Sequence, residues 1–452
     1  MLLKTYAWGV IATFATLFLL GTVFSFHLIH IVGIDNEYDL KRLIVVGFIA
    51  ISSLGLLGIR DVPLINVSTL TKTLFGLFIC LATYSALASK HPYWGMVEIA
   101  NIGMLVVAFY VLSACMRAID RDKLHCGVYA FSLLFSVLTF CKYILFLLFS
   151  YFDAQSFNIH GLLSGYVNVR FFNQLQVMLV PLLFLPFALP ILAKFKRVSL
   201  VFIALHWLVL LQTEARGAVL SLILALGAMS YFLPKDIRKS LIVASLKAML
   251  LGGILWFVLI FLIPYWLMDS SNFQIRTGSS GRIDLWLFVL KSIPEQPWLG
   301  FGPMSFSWAE GRPLPNAHPH NSVMQLLYEY GVIVCMLFIA WAVNRFYNMM
   351  AYIRKSEVFV FVPIAFALLS ALIYSLASGV LVMPMAQLLL VCLVAMQVQY
   401  SSPHYYKMGA LSRGVLFFAV TAATVVLLVS YKNEALLPAL FPRIWVNGLI
   451  SY

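Results

Sequence analysis

Charged side chains are scarce in this sequence: Asp, Glu, Lys and Arg together make up 10% of it, whereas a soluble domain carries about 25%. With 62% hydrophobic residues, that scarcity excludes an ordinary soluble globular fold. The stretches of ~10 residues alternating polar and apolar that mark an outer-membrane barrel are also missing. Lipid-exposed loops and open sheet edges cannot satisfy their backbone in hydrocarbon, so the apolar runs must be helices. The six cysteines (80, 115, 126, 141, 335 and 392) show neither pairing nor metal-ligand spacing, which points to buried, inert thiols and no disulfide framework. No Gly-Lys-Ser/Thr motif supports nucleotide hydrolysis. The first apolar stretch, from Trp8 to about Ile34, is too long for the core of a cleavable signal peptide. There is no internal repeat, no low-complexity tract, and no pair of Gly/Pro-broken spans of the kind an inverted-repeat transporter shows.

What the chain does have is a succession of apolar segments, at roughly 7–34, 43–59, 73–89, 97–116, 127–150, 172–193, 198–213, 217–233, 244–267, 323–344, 357–379, 382–400 and 414–431. About 20 apolar residues suffice to cross a hydrocarbon core of ~30 Å. The expected fold is therefore all-α, a polytopic transmembrane bundle of about 12–13 spans forming one integral membrane domain over 1–452. The closely spaced pair 357–379 and 382–400, and the segment 414–431, are its weakest points. A tail over 432–452 follows the last span. The net charge of +13 does not mark a nucleic-acid binder, because Lys and Arg recur in short groups between apolar runs rather than on one segment. With a cytoplasmic N-terminus, Arg60, Lys72, Arg117, Arg121, Lys123, Lys194, Lys196, Arg197, Lys235, Arg238, Lys239, Arg345, Arg354, Lys355, Lys407 and Arg413 fall inside, as the positive-inside rule requires. Arg170, Arg216, Arg276, Arg282 and Arg312 fall outside and run against that bias. A transporter would bury charge along a route through the bilayer. Lys142, Glu98, Lys247 and Glu329 are the mid-span candidates, and they form no through-path in sequence.

The long connection 268–322 is extracytoplasmic by parity and holds most of the polar sequence between spans, carrying short helices. Four outer segments could carry chemistry. The first is Ala317-His318-Pro319-His320-Asn321-Ser322, running into a span in which Asn321 or Ser322 can act as N-cap. A spacing of four puts Asn321, Gln325 and Glu329 on one helix face, and an intramembrane Glu requires a cavity or a partner. A histidine of ordinary pKa suits a general base; the plainer alternative is a solvated loop with a capping Asn. A His-x-His metal site lacks a third ligand at a familiar spacing, so no metal is expected. The second segment, Arg276-Thr277-Gly278-Ser279-Ser280-Gly281-Arg282, resembles a phosphate cradle, since backbone N–H groups and guanidinium forks suit phosphate oxygens. Its alternative is an interfacial helix with a snorkelling Arg. The third, Thr213-Glu214-Ala215-Arg216-Gly217, is so short that its flanking spans nearly touch, and an interfacial ion pair competes with anion binding there. The fourth, Arg170-Phe171-Phe172-Asn173-Gln174-Leu175-Gln176, opens a span on the same face, as a specific site or a plain anchor.

The combination Arg282-x-x-x-Trp286, Pro297-Trp298-Leu299-Gly300-Phe301-Gly302 with Phe306, and His318-x-His320-Asn321-x-x-x-Gln325-Leu326-Leu327-x-Glu329-x-Gly331 resembles the bacterial O-antigen ligase and O-antigen polymerase superfamily of membrane glycosyltransferases. The likeness covers roughly 170–345 and is specific for the superfamily rather than for a subfamily. It implies an enzyme of the bacterial inner membrane that works on the periplasmic face without cofactor, metal or nucleotide. Such an enzyme moves a glycan from undecaprenyl diphosphate to an acceptor with inversion. The ligase-type acceptor is a lipid A–core hydroxyl; a polymerase, or a transferase to pilin or another protein, is the alternative. By resemblance, Arg216 and Arg282 hold the diphosphate and one of His318 and His320 deprotonates the acceptor, His320 being favoured beside Asn321. Arg170, Gln176, Asn321, Gln325 and Glu329 are candidates for lining the cavity. The thirteenth span and the tail 432–452 depart from a twelve-span ligase.

Overall fold

The computed structural model describes residues 2–24, 37–155, 157–159, 169–268, 281–356, 358–401, 404–431 and 443–445. The protein is an all-α helix bundle, and each of the apolar segments named above overlaps a helix, residues 25–34 of the first lying outside the described residues. Ten are long and apolar enough to cross a membrane: α1 (Leu2–Val23), α2 (Glu37–Leu57), α3 (Thr69–Ala88), α4 (Pro92–Ala118), α5 (Arg121–Phe152), α6 (Val169–Ala188), α7 (Pro190–Gln212), α9 (Lys235–Met268), α11 (Ser322–Lys355) and α14 (Ala410–Val429). Among the described residues there are also three shorter apolar helices: α8 (Arg216–Phe232), α12 (Phe359–Tyr374) and α13 (Pro384–Tyr400). A further helix, α10 (Arg282–Ser292), lies in the long connection. The spacing of 357–379 and 382–400 is thus a real turn between two helices, and α14 is a full-length span.

Local chemistry sets these boundaries. Asp120 caps α5 by accepting from the backbone N–H groups of Asp122 and Lys123, and Pro92 opens α4 where its missing N–H costs nothing. Of the ten long helices α6 and α4 are the most enclosed, whereas α9 and α14 expose long apolar faces such as Leu250, Ile254 and Phe257, or Phe418 and Val429. In lipid an exposed apolar face needs no covering. Buried polar groups find one another instead: Asn173 donates to Gln176 at 2.9 Å and to Thr213 Oγ1 at 3.1 Å, and Ser136 lies 2.9 Å from His206 Nε2.

Two features were not legible beforehand. A two-stranded antiparallel sheet joins β1 (Pro63–Ile65) to β2 (Tyr405–Lys407) at the end assigned to the cytoplasm, where Lys407 also pairs with Asp61 at 3.0 Å. The set of charges within spans also needs correcting, because α2 begins before residue 43 and carries Asp39, Lys41 and Arg42 into the protein interior. Arg42 survives there because Asn101, Gln387, Tyr38 and the Val382 carbonyl all accept from its guanidinium. Lys247, by contrast, lies on the outer surface of α9. Among the cysteines, Cys115, Cys335 and Cys392 are buried, whereas Cys80 and Cys141 face outward; all six are unpaired.

Candidate functional site

The expected site residues gather at one end of the bundle, opposite the sheet. Arg170, at the start of α6, donates to the carbonyls of Thr213 and Glu214 at 3.1 and 3.0 Å and so ties α6 to the junction that delivers Arg216. That junction is tight: Glu214 takes a left-handed conformation (φ 49°), and Gly217 packs so closely on α12 that a Cβ would lie 3.2 Å from Ala377 and 3.3 Å from Tyr374. Burial, and the positive charges of Arg170 and Arg216, pull the Arg282 guanidinium below its ordinary pKa, with Tyr374 acting in the opposite sense. Arg170, Arg216, Arg282 and Tyr374 therefore share one electrostatic environment. Arg276 and the Gly/Ser turn before Gly281 lie outside the described residues.

Helix α10 connects this arginine group to the histidines. Gly281 precedes it with φ of 71°, and Leu285 and Val289 anchor it on Phe306 and Tyr328. Trp286 donates from Nε1 to the Pro319 carbonyl at 2.9 Å, which fixes the peptide between His318 and His320. The motif glycines have a packing reason. The Pro297–Gly302 turn lies on a break in α11 at Gly331, where the N–H groups of Phe301, Gly302 and Val332 bond to the carbonyls of Tyr328, Glu329 and Pro297. A Cβ on Gly331 would stand 2.3 Å from the Trp298 carbonyl oxygen, and one on Gly300 would stand 2.5 Å from that of Tyr328.

The histidine segment is held from several directions. His318 is 3% exposed, and its Nδ1 accepts from the His320 N–H at 3.2 Å, so its proton sits on Nε2. Burial, then the charges of His320, Arg443 and Arg282, hold His318 well below the ordinary 6.5. His320 is only partly covered, has a left-handed backbone (φ 54°), and has its Nε2 2.5 Å from the Asn316 amide nitrogen. Burial, with Arg282 nearby, lowers its pKa to about 4. Both imidazoles are thus shifted toward the neutral form, and each lone pair already has a donor: the His320 N–H at His318 Nδ1 and the Asn316 amide at His320 Nε2. The strained φ at His320 is of a kind that clusters at working sites.

Of the cavity-lining candidates, Asn321 is the cap of α11, its Oδ1 accepting from Val323 and Met324 N–H at 2.9 and 3.2 Å. Gln325 donates to Glu329 at 3.3 Å, so the polar stripe exists as the four-residue spacing implied. Glu329 has found a partner rather than a cavity: Arg443 grips it with two bonds, at 2.9 and 2.7 Å, with both side chains fully buried. Gln176 belongs to the buried network with Asn173 and His206, deeper than the arginines. Arg312 donates to the Phe306 and Ser307 carbonyls and stabilises the turn. Sequence reasoning missed Asn316, Tyr374 and Arg443. Only Arg443 left a signal, since two acids within spans, Glu98 and Glu329, require a cation.

Residues 200–339 match the family model described as O-antigen ligase. Over that segment the chain is similar to the O-antigen ligase family. An O-antigen ligase of Pseudomonas aeruginosa is 32% identical over 154 residues, a stretch covering 33% of this chain and 34% of that relative. The chain thus aligns with about a third of the relative's length. The O-antigen ligase segment contains Arg216, Arg282, His318, His320, Asn321, Gln325 and Glu329, whereas Arg170, Gln176, Tyr374 and Arg443 lie beyond it.

Proposed function

We propose that the protein is an O-antigen ligase-type inverting glycosyltransferase of the bacterial inner membrane. In this reading it transfers a glycan from undecaprenyl diphosphate to a hydroxyl of lipid A–core on the periplasmic face. The observation that carries the reading is the bond from Trp286 to the Pro319 carbonyl, which sets α10, with Arg282 in its first turn, against the histidine segment, while Arg170 ties α6 to the junction bearing Arg216. An anion site beside a neutral base is what this reaction needs. The acceptor hydroxyl gives its proton to the imidazole as its oxygen attacks the anomeric carbon from the face opposite the diphosphate. The bond from that carbon to the diphosphate oxygen breaks, and undecaprenyl diphosphate leaves with the electron pair. Arginines placed where that charge grows lower the barrier. The bound diphosphate also opposes the effect of Arg282 on His320, so the base strengthens when the donor is present.

The test is glycan transfer by purified Arg216→Ala, Arg282→Ala and His320→Ala variants that still insert in the membrane. Loss of a general base costs about 10²–10⁴-fold and loss of a charge-stabilising group about 10²–10³-fold. Full activity in all three variants would sink the mechanism. Gene deletion should abolish all capping while carrier-linked polymer persists; lipopolysaccharide capped with single units would instead identify a polymerase. Unchanged lipopolysaccharide with a smaller glycoprotein would identify a transferase to protein.

A further inference from the structure

Three residues near the end of the sequence fold back into the functional end of the bundle. Arg443, Ile444 and Trp445 are all buried. Trp445 donates from Nε1 to Ser430 Oγ at 2.8 Å and packs on Tyr431, which moors the segment to the end of α14. The Arg443 carbonyl accepts from Tyr38 at 2.8 Å and from Arg42 at 3.2 Å, both on α2. Its guanidinium meets Glu329 of α11 through both terminal nitrogens, Glu98 of α4 at 3.5 Å, and the Ala317 carbonyl at 3.3 Å. Ala317 immediately precedes His318, and Ser307 donates to the same carbonyl at 3.1 Å.

A buried ion pair is poor evidence for stability by itself, because apolar residues of the same volume often serve as well. What apolar residues cannot do is hold a carboxylate with two bonds and a loop carbonyl with a third. A planar guanidinium can, and an ammonium cannot match that fork. Resting on the reading of His320 as the base, we infer that Arg443 is a positioning residue, clamping the peptide that leads into His318 and His320 onto α11 and α4. It lies outside the O-antigen ligase segment and reaches the site from a part of the chain 114 residues beyond Glu329.

The test uses the full-length protein with carrier-linked donor and lipid A–core acceptor, and reads kcat, donor KM and melting temperature together. Arg443→Lys keeps a cation beside Glu329. The triple variant Arg443→Met, Glu329→Gln, Glu98→Gln removes every charge of the group, so the fold is expected to tolerate it. If Arg443 positions the loop, both fold, donor KM stays within about 3-fold, and kcat falls by about 10² in the triple variant, the loss a ~1 Å misplacement causes. Arg443→Lys should lose at least about 10-fold in kcat, since it cannot hold Glu329 and Ala317 together. Wild-type kcat in either variant, or failure of both to fold, overturns the positioning role. His320→Ala in the same assay separates the two ideas: if it is inactive while the Arg443 variants are normal, only the clamp fails. If His320→Ala retains wild-type kcat, the reading of the site fails first.

Discussion

At His320 a strained backbone, a neighbouring amide and a nearby cation act on one ring. To serve as the proposed base the ring needs a free lone pair, and Asn316 decides where that pair lies. With its amide nitrogen 2.5 Å from Nε2, the neutral ring carries its proton on Nδ1. Turned so that Oδ1 faces Nε2–H, the same amide leaves the Nδ1 lone pair for an acceptor hydroxyl. Asn316→Asp imposes the second arrangement, because a carboxylate only accepts. It also favours the imidazolium, raising His320 from about 4 back toward 6.5. Base function is lost as pH falls through that pKa. The wild-type kcat/KM should therefore be flat from about pH 6 to 8, and its acid limb should move to higher pH in Asn316→Asp. A pH–rate profile with an unmoved limb would show that Asn316 does not govern the base. Under the proposed reading His318 has a different task. Its Nδ1 is occupied by the His320 N–H, and its Nε2 faces Gly379 so closely that a Cβ there would lie 2.8 Å away. It holds the His320 backbone and is shut off from an incoming hydroxyl.

The helices and the turn between them give the site its rigidity, and the break in α11 is the joint. Gly331, with φ of 76°, lets the helix open just where the Pro297–Gly302 turn donates to the carbonyls of Tyr328 and Glu329. Gly331→Ala adds a left-handed strain of about 1–3 kcal/mol to a clash with backbone that has no room to move. Thermal denaturation in detergent should show a marked fall in melting temperature for Gly331→Ala and Gly300→Ala. Gly227→Ala, in α8 with nothing within 4 Å of its Cβ, should be neutral or slightly stabilising. Equal melting temperatures for all three would contradict this packing. The helices themselves were legible because a bilayer demands some 20 apolar residues for each crossing, a signal no local accident can hide. The motif residues were legible too, since Arg282, Trp286 and His320 fall close together in one loop. The pairing of Arg443 with Glu98 was not: they are 345 residues apart, and a contact across that distance leaves no periodicity. The β1–β2 pair and the interior run of Arg42 were hidden for the same reason. A three-residue strand has no pattern, and a lone Arg in a span reads as a boundary until its partners are known.

Across the whole molecule, the two ends of the bundle differ in what their charges do. At one end basic residues serve the fold: Arg345 bonds to Ser68 and Thr71, Arg413 to the carbonyls of Leu57 and Ile59, and Arg117 stacks on Tyr405 beside the sheet. At the other end, arginines converge on Tyr374 and the histidines. Independent contacts hold each set together. Ser85 donates to the Leu299 carbonyl, His91 stacks on Trp308, and Ser322 bonds to Ser375, all at the histidine end. The positive-inside rule concerns loops that fail to cross the membrane, so the proposed orientation puts the first set on the cytoplasmic side and the second on the periplasmic side. Orientation can be read directly. In a background without the native cysteines, Glu310→Cys and Lys407→Cys place single thiols at exposed positions, one at each end. A membrane-impermeant maleimide added to spheroplasts should label the first at once and the second only after permeabilisation. Labelling in the reverse order would put the histidines in the cytoplasm, where a carrier-linked glycan awaiting transfer on the outer leaflet could not reach them.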